Sequence, residues 1–119
     1  GLASSDNSSV DAGLPSVYFA VSSTKLGYEN YTALTEVAKF LKNNKGVKLT
    51  VVGHTDATGS KDFNKKLGTK RAQAVIDHLV KIYGIDASNL TASSEGSSNG
   101  IALAKAAKAN RRVDFLLTK

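Results

Sequence analysis

Asp56 and Arg71 are the residues whose types and spacing could do chemistry in this chain. Arg71 falls on the same helical stripe as Leu67, Val75 and Leu79. A guanidinium is always charged and is costly to bury without a partner. It must therefore snorkel to an edge or meet an anion. Asp56 lies in a loop, His54-Thr55-Asp56-Ala57-Thr58-Gly59-Ser60, directly after an apolar run. Loops at strand ends are where binding groups collect. One carboxylate and one guanidinium at the same end of a domain suit a zwitterion, with an ammonium on Asp56 and a carboxylate on the planar fork of Arg71. An internal Asp56–Arg71 bridge satisfies the same pattern, and so does an Asx turn or helix cap made by Asp56 alone.

Catalytic constellations are missing from the pattern. His54 and His78 are the two histidines, and neither sits in a metal-ligand spacing. There is no G-x-S-x-G elbow. Cysteine is absent, which excludes disulfides and thiol nucleophiles and leaves the redox compartment unread. No catalytic residue, metal or cofactor is expected, and the chemistry is that of binding.

The elements that must position the pair follow from periodicity. Residues 1–15, GLASSDNSSVDAGLP, are small and polar and are expected to be a flexible tether, with one domain over 16–119. Residues 16–21 (SVYFAV) read as a strand. Leu34, Val37, Ala38 and Leu41 mark one face of a helix over 30–43. A second strand is expected over 47–53. The longest helix is expected over 61–83, with Lys66, Lys70, Gln73, Asp77 and Lys81 on its polar face and Gly84 ending it. Residues 89–92 read as a short strand and 93–100 (SSEGSSNG) as a loop. An Ala-rich stretch over 101–109 suits a short helix. Val113, Phe115 and Leu117 alternate in a final strand over 111–118. The order β-α-β-α-β-(α)-β predicts an α/β fold, one sheet with helices packed on it.

At 119 residues, 41% apolar and 22% charged, the chain is the size and composition of one globular domain. No run of about 18 apolar residues predicts a membrane span. The absence of Met, even at position 1, is what a processed or cut chain would show, and a signal peptide or lipid anchor could have been removed. The net charge of +6, from 16 Lys and Arg against 10 Asp and Glu, favours an anionic partner. The lysines are scattered and few aromatics lie among them, which argues against nucleic acid.

Gly53-His54-Thr55-Asp56-Ala57-Thr58-Gly59, then Asn64, Leu67, Arg71 and Ala72, then Asn110-Arg111-Arg112-Val113, resemble the OmpA-like peptidoglycan-binding domain, the family of OmpA, Pal and MotB. The resemblance covers residues 17–117. It implies a β/α sandwich with one mixed sheet, and a site for the meso-diaminopimelate of the peptidoglycan stem peptide. By that resemblance Asp56 takes the ligand's ammonium and Arg71 its carboxylate. Asn64 lies near the same pocket, Thr55 and Thr58 border it, and one of Arg111 and Arg112 faces it. A periplasmic location follows, in a parent protein attached to the outer membrane. The chain departs from the family pattern at three points. Ala20 stands where a site Asp is usual. Gly68 stands where the helix motif usually carries Ser. The loop Ser94-Glu95-Gly96-Ser97 lacks the usual Pro. Ala20 and Gly68 also fit an alternative, a domain of this fold that has lost its glycan ligand and binds a protein.

Overall fold

The computed structural model describes residues 9–98 and 108–118. Five strands and two helices follow in the order β1 (Ser9–Asp11), β2 (Val17–Tyr18), α1 (Tyr31–Asn43), β3 (Leu49–His54), α2 (Lys61–Tyr83), β4 (Leu90–Gly96) and β5 (Arg112–Thr118). The strands form one mixed sheet in the order β1-β5-β3-β4. β3 and β4 are parallel and are joined through α2. β5 runs antiparallel to β3. β1 and β2 lie end to end on the other edge of β5, where Ser9 pairs with Thr118 and Tyr18 with Arg112.

Both helices form where the periodicity predicts them, because an apolar stripe buried on a sheet holds a helix in place. Leu34, Val37, Ala38 and Leu41 of α1 meet Ala72, Val75 and Leu79 of α2 in one core with Leu49, Val51, Val113 and Phe115 of the sheet. Ser60 caps α2, its Oγ accepting from the Phe63 amide at 3.1 Å. Gly84 ends the helix at φ +69°, and its amide bonds the Val80 carbonyl at 3.1 Å.

The strands depart from expectation in ways with physical causes. Residues 9–11, placed in the tether by composition, pair with β5, because its outer edge offers unpaired backbone groups to any extended segment. The strand predicted over 16–21 keeps ladder pairing only at Val17–Tyr18, and the Phe19 amide makes one further bond to the Arg111 carbonyl at 2.9 Å. β3 starts two residues later than predicted and runs on through His54. β4 continues to Gly96 through residues read as loop. Ser94 and Gly96 are buried there. A Cβ on Gly96 would lie 3.2 Å from the Lys65 amide nitrogen, and its φ of +54° is left-handed, so glycine stands there both because α2 comes close and because the strand bends out of register. The helix expected over 101–109 falls almost wholly outside the described residues; Lys108–Asn110 form one 3₁₀ turn.

Candidate functional site

The carboxyl end of β3, the loop that follows it and the entry to β5 converge beside the first half of α2. The approach is unusually close because two glycines face each other there. The α carbon of Gly68 lies 2.9 Å from the ideal Cβ position of Gly53, and the Gly68 carbonyl blocks that position outright. This contact sets Arg71, one turn further along α2, against the end of β3.

Arg71 is fully buried, at 0% exposure. Its Nε donates to the Ser23 carbonyl at 2.8 Å, Nη1 to the His54 carbonyl at 3.0 Å and Nη2 to the Ala20 carbonyl at 2.9 Å. The Phe19 ring lies beneath the guanidinium, 5.2 Å from centroid to Cζ. The fork expected to stand open to an external carboxylate is therefore closed over by main-chain oxygens. The cause is local: β2 stops at Tyr18 and the chain turns, the Ser23 amide bonding the Ala20 carbonyl at 3.1 Å, so that the carbonyls of Ala20 and Ser23 both face the cation. Burial pushes Arg71 down to about 10, partly opposed by the nearby Asp56, and the group stays protonated at neutral pH.

Asp56 is also buried, at 5% exposure. Its Oδ1 accepts from the Thr58 hydroxyl at 2.6 Å and the Thr58 amide at 3.3 Å. Its Oδ2 pairs with Arg111 Nη1 at 3.2 Å. Among the described residues the ion-pair partner of Asp56 is thus Arg111, and the plain Asp56–Arg71 bridge does not form. Burial raises the Asp56 carboxyl, but Thr58 and Arg111 outweigh it and hold the group below the ordinary carboxylate value. A carboxylate has about four acceptor positions, so Asp56 retains one for a further donor.

The remaining predicted residues divide between the site and its supports. Arg111 belongs to the site, with its Nε also bonded to the Phe19 carbonyl at 2.9 Å. Asn64 is buried and donates to the Gly59 carbonyl at 3.3 Å, bracing the Asp56 loop from α2. Thr58 orients Asp56. Thr55 is buried; its amide bonds the Gly96 carbonyl at 2.8 Å, and its hydroxyl has no partner among the described residues. Arg112 turns to the opposite face of β5, where its Nε meets Asp114 Oδ2 at 2.9 Å. Alternation along the strand separates the two arginines.

Asp114 and the carbonyls of Ala20 and Ser23 were not among the expected residues. Asp114 was within reach of the pattern, since it stands two residues after Arg112 and so shares its strand face. It collects Arg112, the Ser16 hydroxyl at 2.6 Å and His54 Nε2 at 3.3 Å. Burial raises the Asp114 carboxyl, but His54, Ser16 and Arg112 outweigh it and hold the group at about 2 instead of the ordinary 3.8. A carboxyl depressed in this way stabilises the folded chain above its unfolded value, and the contribution disappears as pH falls from about 4 towards 2. Asp114→Asn is therefore expected to flatten the pH dependence of stability in that window. Thermal melts of both proteins across it check this, and an unchanged slope counts against the cluster.

Taken together, the site is one carboxylate beneath two guanidiniums, with a surplus of one positive charge. It can hold an anion, or a zwitterion whose carboxylate end dominates.

The chain is similar to known proteins over most of its length. The chain is 35% identical over 101 residues to outer membrane porin F of Pseudomonas aeruginosa, which covers 82% of this chain and 29% of that protein. It is 36% identical over 105 residues to the probable lipoprotein YiaD of Escherichia coli, covering 86% and 48%. It thus spans less than half the length of these two curated relatives. The crystal structure of the peptidoglycan-associated lipoprotein from Burkholderia pseudomallei superposes with a TM-score of 0.80 at 30% identity, covering 87% of this chain and 89% of that one. Residues 18–113 match the model of the OmpA family, and the chain belongs to the OmpA family.

Proposed function

We propose that this domain binds peptidoglycan without catalysis and anchors an outer-membrane protein to the wall from the periplasm, by gripping the diaminopimelate of the stem peptide. The observation that carries the reading is the cluster of buried Asp56 and Arg71 with partly buried Arg111 at the end of β3. Support comes from the Burkholderia protein, whose name describes it as peptidoglycan-associated. The ligand's ammonium takes the remaining acceptor position of Asp56. Its carboxylate goes to Arg71 Nη2 in place of the Ala20 carbonyl, the one of the three acceptors carried by an exposed residue. Asn64, Thr55 and Thr58 hold the loop in shape, and Arg111 keeps Asp56 ionised.

The test is co-sedimentation with purified diaminopimelate-type peptidoglycan. Wild-type protein is expected in the pellet at low salt and increasingly in the supernatant as salt rises, because charge pairs are screened. Asp56→Asn, checked by circular dichroism to be folded, should lose most of the binding, since a charge-assisted contact is worth about 1.5–3 kcal/mol. Calorimetry should also show wild type preferring a diaminopimelate stem peptide to a lysine one, which lacks the terminal carboxylate. Equal affinity for the two removes the role given to Arg71.

The closed fork of Arg71 favours one other reading, a domain of this family that recognises a protein. Wild type that stays wholly in the supernatant at low salt would select it.

A further inference from the structure

A groove beside the site is left unassigned by this reading. Phe63, Lys66, Leu67 and Lys70 of α2 face Ser22 and Thr24 across an opening of about 290 Å³. Their spacing places the four helix residues on one face. Leu67 is 8% exposed and Phe63 is 50% exposed, so the floor is apolar and open at one end. Lys66 and Lys70 are exposed and stand one turn apart, and neither has an ion-pair partner among the described residues. Asp62, one turn before Lys66, makes no ion pair with it either.

The groove joins the site on two sides. Ser23, between Ser22 and Thr24, gives its carbonyl to Arg71 Nε at 2.8 Å. Phe63 packs so closely on Gly59 of the Asp56 loop that a Cβ there would lie 2.8 Å from its ring. A ligand held at Arg71 therefore extends naturally along this face of α2.

Two ammonium groups above an apolar floor suit a carboxylate carried on an aliphatic stem. We propose that the groove receives the acidic residue next to the diamino acid in the stem peptide, a γ-linked glutamate whose α-carboxylate is free, and that Lys66 and Lys70 hold that carboxylate. The proposal rests on the peptidoglycan reading and adds a second recognised residue to it. Lys66 precedes Arg71 by five residues, about 7.5 Å along the helix axis, and the chain from a γ-linked glutamate's α-carboxylate to the distal carboxylate of the diamino acid, about eleven bonds, is long enough to pass from one to the other around the helix.

Calorimetry with two synthetic stem peptides tests it, one with the free α-carboxylate and one with that group amidated. Wild type should bind the acid about three- to tenfold tighter than the amide, the scale of two solvent-exposed ion pairs. The double variant Lys66→Gln/Lys70→Gln should bind both peptides equally, at the wild-type affinity for the amide. Its melting temperature should match wild type, since both lysines are exposed. Asp56→Asn should weaken both peptides alike, which separates the groove from the site. A double variant that still prefers the acid overturns the proposal, as does a wild type without preference. If wild type binds neither peptide, the peptidoglycan reading fails and the groove assignment falls with it.

Discussion

Arg71→Ala is expected to lower the stability of the folded domain by about 3–5 kcal/mol, the scale of breaking a buried charged network by removing one partner. Three main-chain carbonyls would lose the Arg71 guanidinium at once, the Ala20 carbonyl keeping only its bond from the Ser23 amide at 3.1 Å, and a void would open above the Phe19 ring. In a domain of this size the melting temperature should fall by on the order of 10 °C or more. Because Asp56 pairs with Arg111, this loss does not require an Asp56–Arg71 bridge. Arg71→Lys separates fold from recognition. An ammonium keeps the charge but cannot meet three acceptors in a planar fan, so an intermediate melting temperature is expected. The lysine variant should also lose the preference for diaminopimelate over lysine peptides while remaining folded. Thermal melts of the two variants beside wild type decide the matter. An Arg71→Ala protein melting within a degree or two of wild type would show that the carbonyl cage contributes little.

Gly53→Ala should be at least as damaging. The added methyl points directly at the Gly68 carbonyl, a main-chain atom that can move only if α2 moves. Overpacking a core costs typically about 1–3 kcal/mol, and displacing this helix would also disturb Arg71, so loss of soluble protein is a realistic readout. Gly68→Ala meets a softer obstacle. Its methyl would collide with the Ser94 hydroxyl, which can rotate, and would stand 2.9 Å from the Gly53 carbonyl oxygen. It should therefore cost less than Gly53→Ala, and removing the hydroxyl with Ser94→Ala should recover part of the loss. Additive effects of Gly68→Ala and Ser94→Ala in urea melts would show that the two groups do not compete for one space.

Most of the fold was legible in the sequence because its two long helices carry apolar stripes and α2 ends firmly at Gly84. The weaker spans were those where local composition and tertiary setting disagree. Ser9–Asp11 has nothing of a strand about it until the edge of β5 is offered to it. Residues 93–96 read as a loop because Ser94 and Gly96 are kept small by the approach of α2 and Gly96 by its left-handed φ of +54°. In the site, Asp56 and Arg71 stood out as charges in a loop and on an apolar stripe. Their partners did not, because a main-chain carbonyl has no letter in a sequence. That Arg71 would be met by the backbone of Ala20, Ser23 and His54, and Asp56 by Arg111, depends on where β2 ends and on which face of β5 each arginine occupies. Gly68, noted as a departure from the family pattern, acquires its reason only when Gly53 is seen opposite.

The end-to-end placement of β1 and β2 along β5 has a mechanical meaning. Ser9 pairs with Thr118, at the far end of β5 from Arg111 and the site. A pull between the chain ahead of residue 9 and a wall polymer held at Asp56 would therefore run along the strand axes. Ladder hydrogen bonds lie across those axes, so such a tension would shear β1 and β5 past each other and strain their bonds together, where a peeling force would part them singly. If the wall polymer is held at Asp56 as proposed, a three-residue strand loaded in that direction would resist detachment more than its length suggests.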